Sequence, residues 1–217
     1  MPTMTRVEKL LSISSEPVSR TPPVNPALLK NYPLGSELLG MLEHKNGFYA
    51  FESALHVFPL TSEPVNGVSL AEWNSDSLWR NDYGDLTSGL LFFAEDIMQD
   101  QFCLSTSGVL RFSAETGGTK PMADSLENWA DIILRDFDRE TGWTFANKWQ
   151  AENGPLPPGK RLMPKSPFFL GGAYSLENLW AGDAVEGMRF KADLAIQTKN
   201  LPDGSQVRII IGERPPN

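Results

Sequence analysis

At 217 residues, with 41% hydrophobic side chains, the chain suits one domain, or one domain with an appendage, and has enough apolar residues to bury a core. Its formal net charge of −8 repels phosphate backbones and disfavours a general nucleic-acid binder. Apolar runs such as GLLFFA fall far short of the roughly 18 residues a membrane span needs. MPTMTRVEKLLSISSEP lacks the continuous apolar stretch of a secretory signal, so the chain reads as cytoplasmic and free of the membrane.

Residues 1–26 read as an N-terminal arm. TRVEKLLS suits a short helix, but Pro17, Pro22, Pro23 and Pro26 forbid its continuation. The arm lies on the domain or is partly disordered. From Pro33 onward Leu34, Leu38, Met41 and Leu42 fall on one helical face, and Asn46-Gly47 supplies the stop. FYAFESALHVFPL, rich in aromatic and β-branched residues, predicts a strand broken at Pro59. A short helix is expected around SLAEWNSD, followed by an ordered loop, WRNDYGDL.

Three short apolar runs, LLFFAED, DQFCLS and VLRFSAE, with turn residues between them, predict an antiparallel meander closed by a loop at TGGTKP. DSLENWADIILRDF predicts a helix with Asp124 and Glu127 as a capping box and Leu126, Trp129, Ile133 and Phe137 on one face. TGWTFANKWQAENG continues it to Gly154-Pro155. The core thus spans 27–155. Residues 156–217 read as an extension. It begins with a Pro-rich connector carrying Lys160, Arg161 and Lys165. It ends in a β-hairpin in which Met188, Phe190, Ala192, Leu194 and Ile196 alternate against Val207, Ile209 and Ile211 across LPDGS. Such a hairpin can pack in cis or pair two chains, leaving monomer and dimer both open.

The residues offer little catalytic chemistry. Cys103 is the single cysteine and sits in an apolar run. His44 and His56 are the only histidines, and no zinc or nucleophile motif includes them. Walker, GxGxxG, GxSxG and EF-hand patterns are absent, so no metal or cofactor is expected. Glu95, Asp96 and Asp100 are the exception. Three carboxylates between two strands suit a metal, acid/base work or a partner, although hairpin connections are polar in any case. Candidate partner-binding residues are these three, the aromatics Trp73 and Trp79 if exposed, and the loop carboxylates Asp82 and Asp85.

Asn46-Gly47, Phe93, Asp96, Asp100, Phe102, Ser125, Leu126 and Trp129 occur in the order and surroundings in which the chain resembles the SUKH superfamily, the Smi1/Knr4-like proteins. The resemblance covers residues 27–138. Gln99 stands where the family often has glycine. The resemblance implies an α+β fold, a mixed and largely antiparallel sheet flanked by helices, and a non-enzymatic role. Its bacterial members look like immunity proteins that neutralise toxins, often nucleases, and others resemble signalling scaffolds. The expectation is therefore an acidic protein that binds a basic cognate toxin, with a regulatory scaffold as the alternative.

Overall fold

Helix α2, Gly35–His44, buries the stripe its spacing predicts, with Leu38, Met41 and Leu42 facing inward. The computed structural model describes residues 4–22, 27–60, 67–202 and 204–206. The chain turns out of α2 at Asn46-Gly47. Gly47 has φ +71, and a Cβ there would lie 2.7 Å from the Pro59 nitrogen, so only glycine fits. The arm before it is ordered where described. Helix α1, Arg6–Ile13, carries a Thr5/Glu8 capping box and buries Leu10. Beyond it, the Ser15, Val18 and Ser19 amides donate to the carbonyls of Tyr49, Gly47 and Asn46. The arm thereby shields the open edge of the first strand.

Six antiparallel strands form the main sheet in chain order: β1 Phe48–Ala50, β2 Leu55–Val57, β3 Leu91–Asp96, β4 Gln101–Ser105, β5 Gly108–Phe112 and β6 Thr119–Ala123. The meander β3–β5 is as predicted. FYAFESALHVF is a hairpin rather than one strand, because Phe51, Glu52 and Ser53 all take left-handed φ angles. No glycine or proline marks that turn. TGGTKP leads into β6 instead of closing a loop, and Lys120 and Pro121 on this exposed edge discourage further pairing.

Helices cover both faces. On one lie α3 Leu70–Trp73, a π-helical turn Asp76–Arg80 and α4 Asn81–Tyr83. On the other lies α5 Leu126–Arg135, whose Trp129 meets Phe93 and Phe102 edge-on. The cap of α5 is Ser125, one residue later than expected: its hydroxyl accepts from the Asn128 amide. Glu127 reaches instead to the Arg6 and Val7 amides and ties down α1. The continuation breaks into α6 Phe137–Thr141 and α7 Trp143–Asn153 at Gly142, which has φ +71.

The extension differs most from expectation. Its Pro-rich connector contains β7 Lys160–Pro164, paired antiparallel with β8 Leu179–Asp183. The alternating stretch 188–196 is part of helix α8, Ala184–Thr198. Asp183 accepts from the Val185 and Glu186 amides and starts it. Met188, Lys191, Ala192 and Ala195 turn inward at helical spacing, and Phe190 is left partly exposed, so the apparent period of two is incidental. Val207, Ile209 and Ile211 lie outside the described residues. The extension packs on the core: α8 joins the main hydrophobic cluster, while β7, β8 and α7 share a smaller one with Ala54 and Ile97. The whole is an α+β fold.

Candidate functional site

The β3–β4 turn, Ile97 to Asp100, is where the parts of the molecule meet. The Ile97 amide donates to Thr141 at the end of α6 at 3.2 Å, and its carbonyl accepts from Leu162 on β7 at 2.9 Å. Lys191 on α8 donates to the Met98 carbonyl. Asp96 Oδ1 accepts from the Met98 and Asp100 amides and shapes the turn. Gln99 has φ +72, the region that favours glycine. Its buried side chain offsets that strain by donating Nε2 to the Ala184 carbonyl at 2.6 Å, which fixes the start of α8.

Glu95 and Asp96 are neighbours on one strand and therefore point to opposite faces. Glu95 is 2% exposed and closes a polar network. Arg161 Nε lies 2.8 Å from its Oε1, His56 Nδ1 lies 3.2 Å from the same oxygen, and Gln101 donates to Oε2 at 3.3 Å. The Trp73 indole in turn donates to Gln101 Oε1 at 2.9 Å. Tyr49, His56, Glu95 and Gln101 stand in register across β1 to β4, so the network is a row across the sheet. A register shift between Phe92 and Ala94 puts Phe92 on the same face as Glu95. Burial pushes the Glu95 carboxyl up, but Arg161 and then His56 draw it down, leaving it below its ordinary range. Burial keeps His56 low, hence neutral at pH 7.

Asp96 faces a different setting. Its Oδ2 pairs with Arg111, which also reaches Asp100 at 3.5 Å and the carboxylate of Glu140 at 3.4 Å. Burial pushes the Asp96 carboxyl up, Arg111 pulls it down and Asp100 repels it, placing it at about 7. This cluster floors an open cleft of about 550 Å³. Its far wall is the Phe168–Leu170 turn with Tyr174. Glu115 holds that turn, accepting from the Phe168 and Phe169 amides at 3.2 and 2.9 Å. Tyr174 stacks on Phe168 with centroids 4.0 Å apart, and 67% of its surface is exposed. Partial burial and the carboxylates of Glu115, Asp100 and Asp96 raise the Tyr174 hydroxyl, so the negative field reaches the aromatic wall.

The other candidates stand apart. Trp73 and Trp79 are not exposed anchors: both are fully buried, in a ring cluster with Phe58, Tyr83 and Phe92. Asp82 is half-buried, 3.9 Å from Arg189 on α8, and Asp85 is exposed; neither lines the cleft. Among the described residues, no three His, Cys, Asp or Glu side chains gather closely enough to share a metal ion. Sequence reasoning missed Arg111, Arg161, Glu115, Phe168 and Tyr174. Only Arg161 carries a local signal: it occupies the second place of KRLMP, a short β-compatible run hidden among the basic and proline residues of the connector.

No protein-family model matches the chain, and no curated protein matches it. The fold is similar to the crystal structure of Atu4351 from Agrobacterium tumefaciens, at 15% identity and a TM-score of 0.56, over 85% of this chain and 87% of that one. At this identity the likeness shows the fold alone. Among the described residues, no helix is long and apolar enough to cross a membrane.

Proposed function

We propose that the protein is a non-catalytic binding module, an immunity protein of a bacterial competition system that binds and occludes a basic, nuclease-type toxin. The observation that carries the reading is how two of the three acidic residues, Glu95 and Asp96, are employed. Glu95 is sealed between Arg161 and His56, and Asp96 is tied to Arg111, so both hold the fold together. The net charge of −8 suits a partner whose own surface must be positive to grip nucleic acid, and complementary charge speeds that encounter. The resemblance of residues 27–138 to the SUKH superfamily supports the same reading. In this role the protein meets its toxin in the cytoplasm and acts by stoichiometric capture, without cofactor or turnover.

Co-expression tests it. A toxin encoded beside this gene is expressed alone and with the protein. The reading expects growth arrest from the toxin alone, rescue by the pair, and a complex that survives purification. A toxin that still kills in the presence of abundant soluble protein contradicts it.

A further inference from the structure

The cleft over Asp96 combines three features. It is concave, with a volume suited to a side chain and its flanking backbone rather than to a whole helix. Its lining holds four carboxylates, Asp96, Asp100, Glu115 and Asp138, against two guanidinium groups, Arg111 and Arg139; the excess is one negative charge while Asp96 keeps its proton and two once it loses it, at about pH 7. Its rim presents a flat, exposed aromatic face, since Tyr174 lies on Phe168 with planes only 7° apart. Asp138 is exposed, and Arg139, 79% exposed, has its nearest carboxylate contact at 3.8 Å.

We infer that this cleft receives an arginine side chain projecting from the basic partner, its guanidinium lying on the Tyr174 ring and donating to Asp100 and Asp138. A planar, weakly hydrated cation is the group that uses both a ring face and a pair of carboxylates. Lysine would gain the charge attraction but neither the stacking nor the forked hydrogen bonds. The wall is preset by Glu115, so little ordering cost falls on binding. Arg111 already shows the pattern inside the protein, bridging Asp96, Asp100 and Glu140 while lying over the Phe102 ring at 5.2 Å. The identity of the partner rests on the immunity reading; the chemistry of the cleft does not.

The probe is the capped peptide Gly-Gly-Arg-Gly-Gly, with its citrulline counterpart as an isosteric neutral control, titrated into the full chain and followed by aromatic NMR. The arginine peptide is expected to shift the Tyr174 and Phe168 rings saturably and to bind at least tenfold more tightly than the citrulline peptide. Tyr174→Ser and Asp138→Asn each weaken it severalfold. The side-chain carbonyl introduced by Asp138→Asn can still accept from the Thr144 amide, and unchanged spectra away from the cleft show that both variants fold. Equal binding of the two peptides, or variants that bind like the parent, overturns the inference. The cognate toxin separates the two proposals. A toxin captured equally by the parent and by Tyr174→Ser sinks the cleft assignment and spares the function. A cleft that selects the arginine peptide in a protein that captures no toxin sinks the function and spares the cleft.

Discussion

Glu95 and Asp96 are adjacent in sequence, alike in chemistry and different in fate. Glu95 lies on a closed face, where Arg161, His56 and Gln101 use its oxygens and no room remains for anything else. Asp96 lies at the floor of a cleft, beside an arginine shared by three carboxylates. One residue of strand register converts the same functional group from a staple between core and extension into one paired with an arginine at the floor of an open cleft. Composition cannot distinguish the two; the pleat does.

Removing the cation on the closed face is the harshest way to test the contrast. Arg161→Ala leaves a buried carboxylate short of its main partner and is expected to cost about 3–5 kcal/mol, read as a lower urea midpoint. Replacing both partners, as Glu95→Leu with Arg161→Met, is expected to recover much of that loss, because no buried charge is then left alone. Arg111→Ala on the open face is expected to cost less, about 1–2 kcal/mol, since Asp96 can take up a proton instead of bearing an unpaired charge.

The two carboxylates also pull stability in opposite directions with pH. An unfolded aspartate titrates near 3.9, whereas folded Asp96 titrates at about 7. Between those values the folded protein keeps a proton that the unfolded chain has lost. The Asp96 contribution is therefore full below about pH 4 and fades as pH rises to 7, by up to about 1.4 kcal/mol per unit. Glu95, held low by Arg161 and His56 against burial, contributes above its unfolded value near 4.3, and that contribution is lost as pH falls through its depressed folded value. Unfolding midpoints at pH 5 and 7.5 are expected to show a decline that Asp96→Asn abolishes, with the acid limb intact. The smallest effect concerns Cys103, on the closed face, where burial pushes the thiol up to about 12. A thiol-reactive disulfide is expected to leave it untouched in the folded protein and to label it on unfolding.

Elements with a single strong local signal were legible in the sequence. The α2 stripe, the Asn46-Gly47 stop, the β3–β5 meander and the α5 face follow from spacing and turn residues. The β1–β2 turn was not, because its three left-handed residues include no glycine. Helix α8 was misread because its apolar residues happen to alternate while the inward face includes the charged Lys191, whose burial beside Met98 is a tertiary fact. The site was half legible. The acidic triplet marked the joint of the fold, but the arginines that pair with Asp96 and Glu95 lie 15 and 66 residues away from them, and the aromatic wall comes from the extension. Trp73 and Trp79 show the reverse error: tryptophans outside a periodic stretch suggested a surface and built the core.

The most direct measurement expresses the product of the reading frame beside this gene, assays it for nuclease activity and titrates that activity with the purified protein. Capture predicts activity falling linearly to zero at one equivalent, immediately and independently of incubation time. Inactivation by a small fraction of an equivalent, growing with time, would reveal turnover, and full activity at a large excess would reveal no complex; either result contradicts a stoichiometric binding module.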